Sequence, residues 1–171
     1  MKIRKISLLL AIFLGAIIAF TGCKKDDGAT KKRVTINDVP TITTTIDATG
    51  SQFIDVLNMA AFSGKFKSDL YFPGTTPPSK VDIVVRKNAS NSNVKLYKAG
   101  VTSLPASFTV TTAEIAALFG TALALNDNYD FAPDIYVGVR KFEAFPAVGV
   151  GTGNGVIAMP LYKEFARFTV R

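Results

Sequence analysis

From Thr41 to the C-terminus the chain alternates apolar and polar residues in short runs, each closed by turn-forming residues. In Thr41–Asp47, TITTTID, the side chains of Ile42, Thr44 and Ile46 fall on one face. Lys65–Phe72, KFKSDLYF, groups Phe66, Ser68, Leu70 and Phe72, and Val81–Lys87, VDIVVRK, turns Val81, Ile83 and Val85 inward. Val94–Lys98, VKLYK, is expected to bury Val94 and Leu96, and Phe108 with Val110 continue the pattern. A period of two, rich in β-branched and aromatic residues, is the signature of a half-buried strand. Phe53–Phe62, FIDVLNMAAF, is a longer apolar run and reads as a buried strand. Pro73, Pro77 and Pro78 in PGTTPPS, and the polar NASNSN, mark the turns between runs.

One segment breaks the period. Thr111-Thr112-Ala113-Glu114 is a capping box, in which the Thr111 hydroxyl accepts from the Glu114 amide and the Glu114 carboxylate reaches back. Ile115, Leu118 and Phe119 then share a helical face, and Gly120 is a C-terminal stop. The pattern predicts one short helix near residues 112–119. In LNDNYDFAPDIYVGVRKF, Tyr129 and Phe131 point one way, Pro133 bends the strand, and Ile135, Val137 and Val139 continue it. Phe165–Arg171, FARFTVR, closes the chain with Phe168 and Val170 inward. Seven or eight strands at this spacing predict an all-β, antiparallel sandwich. DNYDF also resembles the tyrosine corner of immunoglobulin-like domains, with Tyr129 two residues before Phe131. The chain lacks tryptophan and a disulfide pair, so the resemblance points to immunoglobulin-like or fibronectin III-like sandwiches without the antibody marks. Burial of Tyr129 as an ordinary core aromatic is the simpler alternative, and both predict a buried ring.

The N-terminus has a different grammar. Lys2, Arg4 and Lys5 precede an apolar stretch from Ile6 to Phe20, followed by the small residues Thr21 and Gly22. That order is a secretory signal. The stretch is shorter than the roughly 20 residues a comfortable membrane span needs, which makes a retained anchor the weaker alternative. Phe20-Thr21-Gly22-Cys23 resembles the lipobox of bacterial lipoproteins, with Phe20 in place of the usual aliphatic residue. The resemblance implies that residues 1–22 are removed and that Cys23, the only cysteine, is acylated. Lys24-Lys25-Asp26-Asp27 resembles the charged export signal of lipoproteins displayed on the outer face of the Gram-negative outer membrane. A plain solvated tether facing the periplasm is the alternative. Residues 23–33 then form a charged linker, and residues 34–171 a single domain.

This division changes the meaning of the net charge of +7. The signal and the linker each hold three of those positive charges in excess. From Val34 onward 12 basic residues face 11 acidic ones. A nucleic-acid partner is not expected of a domain without a basic excess. The membrane is the expected partner, through the lipid on Cys23.

The chain contains no histidine, which excludes Ser-His and Cys-His nucleophiles and histidine metal sites. The glutamates are Glu114, Glu143 and Glu164, and the first is committed to a helix cap. A carboxylate-pair hydrolase is therefore a poor fit. Asp127, Asp130 and Asp134 form an oxygen-rich run and are the weak candidates for calcium, but no EF-hand glycine or bidentate glutamate follows them. An Asx-rich turn is the competing reading. The glycines of VGVGTGNGV match neither a phosphate loop nor a dinucleotide fingerprint, so no cofactor is expected. The long connection from Phe142 to Lys163 is unusually apolar and is the candidate binding loop, through Phe145, Val148, Val150, Asn154, Val156, Ile157 and Tyr162. Folding back over the sandwich as structure is the alternative. Tyr71, Phe72, Tyr97, Tyr136 and Tyr162 are the aromatics that can stack on a sugar if exposed.

FTVTTAEIAALFG with LNDNYDFAPDIYV, within about residues 80–145, is similar to small immunoglobulin-like lipoproteins that accompany outer-membrane glycan-uptake systems. The resemblance implies a non-catalytic surface module that holds extracellular glycan or an uptake complex. A structural or adhesion protein of the envelope is the alternative expectation, and a small hydrolase the weakest.

Overall fold

A computed structural model of the chain describes residues 39–148 and 164–171. Strands β1 (Ile42–Ile46), β2 (Ser63–Leu70), β3 (Lys80–Lys87), β4 (Val94–Val101) and β5 (Ala106–Thr111) precede helix α1 (Thr112–Phe119). Strands β6 (Asn128–Val137), β7 (Arg140–Phe142) and β8 (Ala166–Thr169) follow it. They form a three-stranded sheet, β1-β2-β5, and a five-stranded sheet, β4-β3-β6-β7, in which β8 also pairs with β6. Every strand pairing is antiparallel. Lettered in the immunoglobulin manner, A-B-E faces C′-C-F-G, and the fold is an all-β sandwich with one short helix.

The alternating patterns account for the core. Phe66 on β2, fully buried, has ring centroids of Phe108 and Phe131 5.0 Å away and that of Phe168 6.4 Å away. One aromatic thus joins both sheets. Val81, Ile83, Val85, Val110, Tyr129, Phe131, Phe168 and Val170 complete the buried layer with no exposed surface. Burying each such side chain stabilises the fold by about 1.5–3 kcal/mol relative to leaving it in water. The buried hydroxyls of Thr44 and Ser68 satisfy each other at 3.1 Å. At Gly64 the sheet has no room for a side chain: an added Cβ would lie 2.4 Å from Phe62 Cζ and 2.9 Å from Phe168 Cζ.

Helix α1 starts and stops as its sequence requires. Glu114 N donates to the Thr111 hydroxyl, and the Thr111 amide donates back to the Glu114 carboxylate at 2.8 Å. Gly120 ends the helix at φ +66°, in the left-handed region where glycine carries no Cβ penalty. Ile115 is fully buried, and Phe119 packs on Tyr129 with ring centroids 5.6 Å apart. Among the described residues no helix is long and apolar enough to cross a membrane.

Several sequence expectations are corrected. Phe53–Phe62 is not a buried strand. It is a run of bends and one 3-10 turn (Met59–Ala61), anchored by a single parallel bridge between Ile54 and Val170. Ile54 is buried there, while Phe53 and Leu57 are 46% and 92% exposed. Leu96 is also exposed, because it pairs with Val84, whose side chain lies on the outer face of the sheet. Tyr97, the next residue, turns into the core beside Phe131, 5.3 Å between centroids, and sits at the irregularity between Leu96 and Lys98. Val139 stands fully exposed in the turn after β6 rather than continuing that strand.

Strand G is split, and the split explains the long connection. β7 pairs Phe142 with Ile135, and β8 resumes by pairing Ala166 with Phe131. The chain leaves this sheet edge after Phe142 and rejoins it at Ala166. The carbonyls of Asn128 and Tyr136 accept from Asn88 and Ser79 on the β3 side, whereas that of Asp127 accepts from Val170 on the β8 side. Even-numbered residues of β6 therefore bond toward β3 and odd-numbered ones toward strand G. Pro133, which has no N–H to offer, falls on the G side in the interval that strand G skips. The proline does not bend β6, whose ladder with β3 runs unbroken through the Ile83/Pro133 pair.

Candidate binding cleft on the outer sheet face

The face of the five-stranded sheet turned away from the core is not uniformly polar. Val84 on β3 and Ala132 on β6 are buried there under Ala144 and Phe145, with Val94 and Phe165 packed around them. The covering residues come from the first leg of the excursion out of strand G. An electrostatic clamp holds this layer. Asp130, with no exposed surface, accepts from Arg86 Nε at 2.9 Å and from Arg167 Nε and Nη2 at 2.6 and 3.0 Å. The Arg86 guanidinium lies 4.1 Å from the Phe145 ring centroid, and that of Arg167 lies 5.0 Å from the Phe165 centroid. Arg86 also donates to Asn91 Oδ1 at 2.6 Å, and Asn91 Nδ2 donates to the Pro146 carbonyl at 3.0 Å.

Beside the clamp the sheet leaves an open cleft of about 480 Å³. Its floor is Val84, Asp82, Asp134 and Tyr136 from β3 and β6, and Val94, Lys95 and Leu96 from β4 form one wall. Asn91 and Ser92 close one end, and Lys141, Glu143, Phe145 and Ala147 form the other wall. The volume lies within the usual range for ligand sites, about 300–1,000 Å³. Burial pushes the Asp134 carboxyl up, and the Ala144 amide at 2.8 Å and Lys141 at 2.9 Å recover only part of that shift. The bond to Asp134 holds Lys141 above the ordinary lysine range, and Lys141 also reaches Glu143 at 3.2 Å. Burial acts against Asp82 as well, but the Gly100 amide at 2.7 Å, the Tyr136 hydroxyl and Lys80 hold its carboxyl below the usual range. Bonding to Asp82 correspondingly raises the Tyr136 hydroxyl, and Lys80 Nζ sits 4.1 Å from the Tyr136 ring centroid.

The three aspartates proposed for calcium do not converge. Asp127 receives Lys87 at 2.7 Å, Asn88 Nδ2 at 2.9 Å, the Ala124 amide at 2.8 Å and the Tyr129 hydroxyl at 3.2 Å. Burial would raise its carboxyl, but the bonds from Lys87, Asn88 and Ala124 more than reverse this and hold it low. Asp130 is closed by two arginines and Asp134 by a lysine and an amide, so each carboxylate is occupied by donors of the chain itself. Among the described residues no group of three or more acidic, cysteine or histidine side chains is placed to hold a metal. The Asx-rich reading of this run is the one the geometry supports. The Tyr129 ring is buried, as both readings of DNYDF expect, and its hydroxyl bonds the Asp127 side chain.

Of the candidate loop, Phe145 is buried, a clamp residue rather than a free contact, and Val148 is 91% exposed. Val150, Asn154, Val156, Ile157 and Tyr162 lie outside the described residues, as do Cys23 and the Lys24, Lys25, Asp26, Asp27 run. Tyr71 and Phe72 pair edge to face at 4.8 Å in the β2–β3 loop, away from the cleft. Tyr97 is drawn inward, and its hydroxyl donates to the Thr109 carbonyl at 2.6 Å across to β5. Burial pushes that hydroxyl up to about 12. Of the stacking candidates among the described residues, Tyr136 alone lines the cleft. The sequence reading missed Asp82, Lys141 and Leu96. The one local signal was at Asp82, a polar side chain that alternation assigns to the outer face of β3; Leu96 was assigned inward, and nothing local marks Lys141.

Fold and site together define an all-β sandwich with a polar cleft on the outer face of its five-stranded sheet. No family model, curated protein or solved structure matches the chain.

Proposed function

We propose that the protein is a lipid-anchored binding module of the cell surface, holding extracellular glycan or a glycan-uptake complex and performing no chemistry of its own. The observation that carries this reading is the outer-face cleft, where Tyr136 and Leu96 stand among carboxylate and amide groups on a rigid sheet. Its buried carboxylates, Asp82 and Asp134, are tied to lysines and amides, which suits a binding role better than acid–base work. The lipobox resemblance around Cys23 and the charged run after it support an outer-membrane, outward-facing location. A second reading, an envelope protein that contacts other proteins, draws on the exposed Phe53, Leu57 and Leu125.

The test has two stages. Intact cells expressing the wild type or Cys23→Ala are treated with protease, and the cell-bound fraction is blotted. The proposal expects a membrane-bound, protease-sensitive wild type and a released or unprocessed variant. Protection of the wild type places it in the periplasm and defeats surface capture. Binding of the detergent-extracted protein to an oligosaccharide array, lost in Tyr136→Ala, is the second stage.

A further inference from the structure

We infer that the cleft selects uncharged, hydroxyl-rich oligosaccharides over acidic ones, an inference that rests on the glycan reading above. The argument is the state of its charges. Asp82, Asp134 and Glu143 line the cleft together with Lys95 and Lys141. Lys80, 3.6 Å from Asp82, brings the local balance to zero. Lys141 is held between Asp134 and Glu143, and Lys80 between Asp82 and the Tyr136 ring. Of the lysines at the cleft, Lys95 alone has no ion pair or ring contact among the described residues, and it is half-buried at the wall. An acidic sugar entering the cleft meets no excess positive charge and no bidentate arginine, since Arg86 and Arg167 are both spent on Asp130. It would lose hydration without an equivalent partner, at a site where carboxylates already stand. A neutral sugar meets the reverse situation. Its hydroxyls donate to the carboxylate lone pairs left over by the lysines, and its apolar faces have Leu96 and Tyr136 to lie against.

The experiment uses the detergent-extracted full chain against two probe sets, neutral gluco-, xylo- and manno-oligosaccharides and acidic oligogalacturonate and chondroitin sulfate fragments. The neutral set is expected to bind, with Tyr136→Ala weakening it by about tenfold. The second variant, Glu143→Lys, sits on a half-exposed side chain, so the fold tolerates it. It removes one of the two carboxylates that hold Lys141, leaving the Asp134 pair, and adds a cation, and it is expected to shift the ratio of acidic to neutral binding by about tenfold toward the acidic set. A wild type that prefers the acidic set, or a Glu143→Lys ratio that does not move, overturns the inference and leaves glycan binding standing. Binding of neither set overturns the glycan reading and this inference with it.

Discussion

Replacing Asp130 with asparagine tests the clamp that holds the excursion of strand G against the sheet. The substitution keeps the shape of the side chain and removes its charge. In the native protein the carboxylate has no exposed surface and accepts three hydrogen bonds from two arginines. Removing one partner of a buried ion pair costs about 3–5 kcal/mol, because the remaining charge is stranded. Two features lower that figure here. The Arg167 side chain is 43% exposed, so water relieves it, and asparagine still offers one acceptor. The Arg86 side chain is only 16% exposed and has no such relief. A loss of about 2–3 kcal/mol remains, or roughly 10 °C in melting temperature for a domain of this size. Urea titration and thermal unfolding of the purified protein measure it. Arg167→Met is the internal control and is expected to cost about 1 kcal/mol, since it leaves the Arg86–Asp130 pair intact. Local exchange adds a second readout. The Ala144 amide, bonded to Asp134 beneath Phe145, should exchange faster in Asp130→Asn. A loss below about 0.5 kcal/mol with unchanged exchange at Ala144 would show that the clamp holds nothing, and the reasoning from burial and geometry would be refuted.

Two further outcomes are expected. Gly64→Val drives a side chain into the edges of Phe62 and Phe168 and should cost about 1–3 kcal/mol in chemical unfolding; an unchanged midpoint contradicts the close approach. The pH profile of stability has a computable sign. The carboxyls of Asp82 and Asp127 are held low in the folded state, so their contribution is present above the unfolded value of about 3.9 and is lost as pH falls through their folded values. Asp134 is raised, so protonating it stabilises the fold as pH falls through its folded value, in the opposite direction. The melting temperature should hold or rise slightly on approach to about pH 4 and then fall steeply, and Asp134→Asn should abolish the shoulder; a fall that begins near neutrality contradicts both assignments.

Much of the fold was legible in the residues because its signals are local. A strand with one buried face repeats every two residues, so Ile42, Phe66, Val81, Ile83, Val110, Phe131 and Phe168 declared their side of the sheet in advance. The capping box of Thr111 and Glu114 and the stop at Gly120 are likewise complete within one short stretch. The errors fall where a partner distant in sequence decides. Phe53–Phe62 is apolar enough for a strand, yet only Ile54 finds a ladder partner, Val170 at the far end of the chain. Leu96 and Tyr97 take the opposite faces from those the apolar pattern of VKLYK suggests, because the pairing of Leu96 with Val84 and of Lys95 with Val85 sets the faces of β4, and neither strand displays that pairing alone. The candidate metal run failed for a related reason, because the donors that satisfy it, Lys87, Arg86, Arg167 and Lys141, come from other strands.

By itself, then, the sequence determined the sandwich class, the helix and its limits, the inward-facing aromatics and the near neutrality of the domain, since each follows from spacing, capping or charge counted along the chain. Tertiary structure alone decided that strand G is split opposite Pro133, that Phe145 is a clamp rather than a free contact, and that Asp82, Asp134, Tyr136 and Lys141 share one cleft. Those facts depend on which strands become neighbours, and neighbours in an antiparallel sandwich are brought together by packing across the core, over separations that no local pattern records.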